Sequence, residues 1–367
     1  MSENKYTKQD LLKLRARPLA VQYNFGVTRM IEAIKETDGD ILVCFSGGKD
    51  SALLLDMYCE IASQIFGIKN IQVGYADTTN ETRAMREYVP WFINRCEEKY
   101  GVKINLTTTR PDNGYTFAGI VKQKGVPFVS KMLSGTIRKT KASMREAGVT
   151  YDDVIKYAQS DIASRDALRE MGLSDTAVLA LTGWSCNRND FGKSFKIAKQ
   201  WLPLLNCDVP LTEQCCVILK ETPIAKLQYP NTMTGEQAEE SKMRESAWLK
   251  HGCNYSPSPG KYKASPFGAL SGQAILYAIQ HRNVPICSDY GEVVKCGDCF
   301  QCTKAKRTGC ALCGFGITFD PKRFVRLQET EPAKVAWAFK PRSEGGAGYR
   351  ELCEYSNEYC KTKITIP

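Results

Sequence analysis

Across residues 10–36 the apolar positions Leu11, Leu12, Leu14, Leu19, Met30, Ile31 and Ile34 fall at helical spacing, and Pro18 interrupts the stripe. The turn Asp38-Gly39-Asp40 ends that period. Ile41 to Phe45 is then a short, almost wholly apolar run, the pattern of a strand covered on both faces, and Ala52 to Phe66 returns to helical spacing. The alternation continues with a strand expected at 71–76, a helix at 81–100 and a strand at 102–109. Strand and helix in regular succession predict an α/β fold built on a doubly wound parallel sheet. Residues 140–200 are polar and mainly helical in pattern, with Trp184 beside glycine and asparagine turns and Trp201 just beyond, and read as an insertion. The expected divisions are an N-terminal helical segment (1–36), an α/β core (37–139), a mainly helical insertion (140–205), a continuation of the core with a cysteine-rich metal region (206–330) and a C-terminal tail (331–367).

A chain of 367 residues with 43% hydrophobic and 25% charged residues can bury a substantial core without help from a metal. Its first residues contain no apolar signal-like run, and no stretch approaches the roughly 18 apolar residues of a membrane span, so a cytoplasmic protein with no membrane contact is expected. In a reducing compartment sixteen cysteines point to metal or redox roles rather than disulfides. With only His251 and His281 present, a metal centre must be mainly thiolate, and serine-histidine hydrolysis is a poor fit. His251 precedes Gly252 at an expected helix end, where capping suffices to explain it. The net charge of +10 suits a polyanionic partner, although the basic residues are dispersed and no aromatic-basic recognition motif stands out.

The sharpest local signal is Ser46-Gly47-Gly48-Lys49-Asp50-Ser51, between the first strand and its helix. Paired glycines allow a tight turn in which amide N–H groups converge on an anion at a helix N-terminus, and Lys49 adds a mobile positive charge. Asp50 and Ser51 fall in the first helical turn, where they can cap the helix or reach a phosphate-bound magnesium ion. This is not a Walker A loop, because Val43 stands where that motif needs glycine and Asp50 where it needs serine or threonine.

SGGKDS after an apolar strand resembles the pyrophosphatase (PP) loop of the adenine nucleotide α-hydrolase superfamily. That resemblance implies cleavage of ATP to AMP and pyrophosphate, usually to adenylate a substrate, and Lys49 favours ATP over a sulfonucleotide. It also places adenine or ribose recognition at Asp77-Thr78-Thr79-Asn80-Glu81, where helix capping by Asn80 or Thr79 is the plain alternative. Lys131, after the apolar run at Phe128-Val129, is either a phosphate contact or a solvated lysine. Gly235 to Arg244 resembles the Gly-x-x-x-x-Glu-Ser-x-x-Arg signature of the phosphoadenosine phosphosulfate (PAPS) reductase family. There Glu240 would orient donors or a metal, Ser241 would donate to a phosphate and Arg244 would grip one bidentately; alone, the run is an amphipathic helix. Lys49, Asp50 and Arg244 are the candidate catalytic residues.

Cys215-Cys216, with Lys220 and Pro223 downstream, and Cys310-Ala311-Leu312-Cys313 resemble the paired-cysteine and Cys-x-x-Cys elements of iron-sulfur members of that family, which implies a 4Fe-4S cluster. Buried core thiols are the alternative for the pair. Cys296, Cys299 and Cys302 depart from the family pattern; they could bind zinc together with Cys310 and Cys313, relay sulfur, or replace a cluster ligand. Cys353 and Cys360 lie near the C-terminus but lack the Glu-Cys-Gly context of assimilatory reductases.

From about Tyr6 to Arg350 the chain resembles an uncharacterised bacterial and phage group of the PAPS reductase family. The resemblance implies an ATP pyrophosphatase that activates an acceptor for sulfur transfer. Nucleic acid, tRNA or DNA, is the expected acceptor, and a cysteine desulfurase or other protein the sulfur donor. Two alternatives are a sulfonucleotide reductase releasing sulfite, which would need a donor such as thioredoxin, and a non-catalytic nucleotide-binding iron-sulfur sensor or subunit.

Overall fold

A computed structural model describes residues 4–187, 190–192 and 195–367. In chain order its first elements are α1 (Lys8–Arg15), α2 (Leu19–Glu36), β1 (Leu42–Cys44), α3 (Lys49–Gln64), β2 (Asn70–Ala76), α4 (Arg83–Tyr100), β3 (Lys103–Thr109), α5 (Phe117–Lys124) and β4 (Phe128–Val129). Next come α6 (Lys131–Glu146), α7 (Tyr151–Ile155), α8 (Ile162–Glu170), α9 (Asp175–Thr182), α10 (Gln214–Cys216), α11 (Thr222–Ala225), β5 (Asn231–Met233), α12 (Lys242–His251), β6 (Asn254–Ser258) and β7 (Lys261–Ala264). The last are α13 (Gly272–His281), β8 (Val293–Cys296), β9 (Cys299–Cys302), β10 (Gly314–Phe315), α14 (Arg323–Thr330), α15 (Pro332–Phe339) and α16 (Tyr349–Tyr359). These form two compact units, the first comprising Met1–Pro111 and Lys220–Gly309, the second Asp112–Leu219 and Cys310–Pro367.

The first unit is built on a six-stranded sheet in the order β3-β2-β1-β5-β7-β6, parallel except for β6, which runs antiparallel to β7. The apolar run at 41–45 supplies the buried β1, as its pattern predicts. Helix α3 starts at Lys49, three residues before its apolar period begins, because Gly48 is its N-cap. It is buried from Ser51 through Ile61 except at Glu60, which makes it the central helix of the core. Asp56 lies within it at 0% exposure and is held by Arg95 (3.2 Å), Lys99 (3.3 Å), Tyr100 (2.9 Å) and Arg282 (2.5 and 3.0 Å). A buried carboxylate is tolerable only when its lost hydration is replaced in this way. The helix expected at 81–100 begins at Arg83, since the Thr82 side chain caps it through the N–H of Met85 (3.1 Å).

After β1 the chain winds outward through β2 and β3, whereas β5 pairs with the opposite edge of β1. The strand order therefore reverses between β1 and β5. In open parallel sheets the carboxyl ends of strands at such a switch point leave a crevice, because the flanking connections run to opposite faces.

The second unit holds the short parallel pair β4 and β10, in register Phe128↔Gly314 and Val129↔Phe315. After α5 the helices run from Lys131 to Thr182 before a 3-10 segment at Lys199–Asn206, so the pattern at 140–200 locates helices and misses their limits. Its core includes Phe324, Phe339 and Tyr349, whose rings pair at 5.0–5.9 Å.

Candidate functional site

The turn between β1 and α3 depends on Gly47, whose φ of +75° belongs to the left-handed region; a Cβ there would also stand 2.3 Å from Met85 Sδ. The Ser51 hydroxyl receives the Ser46 N–H (3.2 Å) and donates to Gly48 O (2.9 Å), which closes the loop on itself. Lys49 Nζ lies 2.8 and 2.9 Å from the two Asp50 oxygens. Burial works against the Lys49 charge, but Asp50, with Tyr290 adding to it, holds its pKa above the ordinary lysine value, so the ammonium persists at neutral pH.

From the other side of the switch point, the segment after β5 packs onto this loop. A Cβ on Gly235 would lie 3.1 Å from Asp50 O, and Gln237 Nε2 donates to Asp50 Oδ1 at 3.0 Å. The run 235–244 is not one amphipathic helix: a 3-10 turn at Ala238–Glu240 gives way to Ser241 in extended geometry, whose side chain caps α12 through Arg244 N (3.2 Å). The Arg244 guanidinium is ion-paired with Glu240 and, at 2.9 Å, with Glu236, and Arg307 reaches the other oxygen of Glu240 at 3.2 Å.

At the end of β2, Asp77 accepts from Thr79 N (2.9 Å) and Arg110 Nε (2.9 Å). Burial would raise its pKa, yet these donors hold it below the usual aspartate value. Thr78 is buried, and its N–H and hydroxyl donate to Glu81 Oε1. Thr82 caps α4, so Thr79 and Asn80 have no such duty. Lys131 opens α6 in the second unit, where its side chain is exposed.

Three residues near the loop carry no local signal that ties them to it, although Cys302 stood out as one of the extra cysteines. Tyr290, buried at 2% exposure, accepts the Lys49 N–H at 3.2 Å; Thr308 donates to the same hydroxyl at 2.6 Å; and Cys302 lies close enough to Lys49 and Asp50 to feel both charges. Cys302 ends a hairpin whose two-residue turn is Gly297-Asp298 and whose exposed Cys296 and Cys299 pair across it. The alternation along β9 accounts for the difference: Phe300 and Cys302 face the unit, whereas Cys299 faces out. Burial, with Asp50, raises the Cys302 thiol pKa, against Lys49.

The second unit brings Cys215, Cys216, Cys310 and Cys313 together. Cys215 is hydrogen-bonded to Cys216 and feels both other thiols, and contact with Cys216 and burial push its pKa upward. Cys313 N donates to Cys310 O (3.0 Å), and burial, helped by Cys310, raises the Cys313 thiol too. Four thiols from two segments match a soft metal centre in donor chemistry. Among the described residues, however, no group of three or more His, Cys, Asp or Glu side chains is arranged to hold a metal ion. Successive helical positions such as Cys215 and Cys216 diverge by about 100°, so one is buried and the other half-exposed. Cys353 and Cys360 are fully buried, with thiols pushed up by burial to about 12 and about 11, which makes them poor nucleophiles.

A glycine turn and a helix N-terminus at the switch point of a mainly parallel sheet define a doubly wound α/β protein of the kind that binds small ligands beyond its strand ends. Residues 40–183 match the family profile of the phosphoadenosine phosphosulfate reductase domain. The similarity to the PAPS reductase domain thus covers residues 40–183, less than half of the chain. That family binds nucleotides and is mostly enzymatic, which supports a nucleotide-binding, sulfur-related activity. Among solved structures, the PAPS reductase of Candida auris in its phosphate complex aligns at 9% identity over 78% of this chain and 92% of its own, with a TM-score of 0.34. No curated protein matches. No helix among the described residues is long and apolar enough to cross a membrane.

Proposed function

We propose that the protein is an ATP pyrophosphatase that adenylates an acceptor for sulfur transfer. The observation that carries this reading is the convergence of the Gly47 turn, the N-terminus of α3 and the charged Lys49 at one switch point, with Asp50 and Gln237 alongside. An acceptor oxygen attacks the α-phosphorus, the bond to the bridging oxygen breaks, and pyrophosphate leaves; a sulfur nucleophile then displaces AMP from the acceptor. Loop N–H groups and Lys49 stabilise the charge that develops on the α-phosphate and the leaving pyrophosphate. Asp50 would hold a magnesium ion in this scheme, which when bound would neutralise phosphate charge; Ser46 and Ser51 shape the loop, and Asp77, supported by the buried Thr78, would meet the nucleoside. Arg244 exchanges a carboxylate partner for a phosphate, with Glu240 and Ser241 orienting it.

Nucleic acid is the proposed acceptor, in keeping with the net charge of +10. Cys215, Cys216, Cys310 and Cys313 have the donor chemistry of a 4Fe-4S site, but their side chains are not arranged around one metal ion, so no step of the scheme runs through a cluster. The burial of Cys353 and Cys360 counts against a reductase that works through a terminal cysteine.

The test is to incubate anaerobically purified protein with α-labelled ATP, with and without total RNA or DNA, and to follow AMP and pyrophosphate. AMP that rises with one acceptor supports the reading; no AMP under any condition sinks it. Sulfite release from a sulfonucleotide plus reductant would replace it with the reductase, and binding without turnover with a sensor. A broad visible absorption band together with bound iron and sulfide would support the cluster, whereas a colourless zinc protein would exclude it.

A further inference from the structure

Residues 303–309 follow the cysteine hairpin without belonging to a helix or strand, yet their backbone is pinned. Thr303 N donates to Glu292 O (2.9 Å), Lys304 N to Tyr290 O (3.0 Å) and Ala305 N to Asp289 O (3.2 Å). Further on, Thr308 is hydrogen-bonded at 2.6 Å to the Tyr290 hydroxyl, which accepts the Lys49 N–H at 3.2 Å. Gly291 permits the close approach: its φ is +70°, and a Cβ there would lie 2.1 Å from Thr303 Oγ1. A segment fastened to Tyr290 near both ends keeps a fixed place beside the start of α3. It carries three cations in four positions, Lys304, Lys306 and Arg307, all exposed, while Ala305 between them is half-buried. Among the described residues Lys304 and Lys306 enter no ion pair, and Arg307 reaches Glu240 at 3.2 Å with 65% of its side chain still exposed. Several neighbouring carboxylates are already engaged: Glu236 and Glu240 with Arg244, Glu239 with Gly272 N (2.8 Å) and Asp289 with the Thr82 hydroxyl (2.6 Å). Lys49, the loop N–H groups and Arg244 serve the triphosphate in the proposed scheme, so three further cations on a fixed backbone at its rim suit a second polyanion.

We infer that residues 303–309 form the surface on which a nucleic-acid acceptor lies, with Lys304, Lys306 and Arg307 neutralising successive phosphates of its backbone. This rests on the reading of the loop as an ATP site that activates an acceptor, and it names where that acceptor enters. An acceptor oxygen must reach the α-phosphorus, so the acceptor's backbone has to pass the rim of the loop. Cations anchored through Tyr290 hold that backbone in register with Lys49. Contacts of this kind release counterions and are indifferent to base sequence. They position a nucleic acid without reading it, which agrees with a segment that offers lysine and arginine but no aromatic ring for stacking.

The test measures binding of total tRNA and of duplex DNA to the full-length protein without ATP, by fluorescence anisotropy at about 50–200 mM salt. The triple variant Lys304→Ala/Lys306→Ala/Arg307→Ala should bind about tenfold more weakly and flatten the slope of log K against log salt by about 2–3, since each lost phosphate contact removes about 0.7–0.9. Lys35→Ala/Lys69→Ala/Lys103→Ala removes the same charge from exposed positions at the opposite end of the sheet, where Lys69 precedes β2 and Lys103 opens β3, and should leave the slope nearly unchanged. Pyrophosphate affinity of Lys304→Ala/Lys306→Ala should stay within about twofold of wild type, as for surface charges outside the phosphate seat. Equal losses from the two triple variants would reduce the effect to net charge and overturn the inference. So would an unchanged slope in the first variant, wild type that binds neither tRNA nor DNA, or binding to phosphatidylserine vesicles in place of nucleic acid. Nucleic-acid binding with the expected slope but no AMP from ATP would refute the pyrophosphatase and leave the surface standing. AMP formation, with the first variant binding nucleic acid as wild type does, would do the reverse.

Discussion

Asp56 in the first unit and Tyr349 in the second are equally inaccessible, but the two interiors treat polarity differently. The carboxylate stays charged because Arg282, Arg95 and Lys99 converge on it from α4 and the end of α13. Around Tyr349 the second unit instead buries neutral groups, with the Tyr349 hydroxyl donating to Leu312 O and the thiols of Cys353 and Cys360 pushed up by burial. The first arrangement stiffens the helix whose N-terminus forms the phosphate loop and makes it sensitive to charge; the second resists pH change across the neutral range. Rigid support close to the loop is what a site built on positioned N–H donors requires.

The comparison is easiest to break at Asp56. Asp56→Ala should destabilise the protein by about 3–5 kcal/mol in denaturant unfolding, because it strands buried cations. Burial would raise the Asp56 pKa, but Arg282 foremost holds it below the ordinary aspartate value. Its contribution is therefore present above the unfolded pKa of about 3.9 and is lost as pH falls through the folded pKa. Acid titration of wild type should show that loss, and Asp56→Asn should flatten it.

Gly47→Ala should follow in size. The left-handed backbone costs about 1–2 kcal/mol and the contact with Met85 about 1–3 kcal/mol, read as a drop in unfolding free energy with loss of nucleotide binding. In the second unit, Tyr349→Phe removes one hydrogen bond and should cost about 1–2 kcal/mol at every pH between 5 and 9. A pH-dependent loss there would undo the contrast. The smallest effect concerns reactivity alone: in native protein a maleimide should label the exposed Cys296 and Cys299 rapidly and leave Cys353 and Cys360 unmodified until denaturant is added.

Much of the first unit was legible in the order of residues. The strand-helix alternation and the SGGKDS turn follow from local rules, because a buried parallel strand, a glycine turn and an amphipathic helix each need only neighbouring residues to declare themselves. Helix starts were less legible: Gly48 and Thr82 decide them, and a capping residue is recognised only once the preceding chain has turned. The segment 235–244 shows the same limit, since nothing local announces that Ser241 breaks it. The cysteines stood out in the sequence as a set of thiols, but their spacing said nothing of how Cys215 and Cys216 are buried, the first inside and the second half-exposed.

The sequence by itself determined the α/β class, the place of the loop and the donors available in it, because these arise within a few residues of one another. Only the tertiary structure decided which distant groups complete that loop. Gln237 meets Asp50 across 187 positions and Tyr290 meets Lys49 across 241, and both contacts exist because β5 joins the far edge of β1 and the segment after α13 returns to the start of α3. Pairings over such separations are set by strand order and packing, which no local pattern encodes.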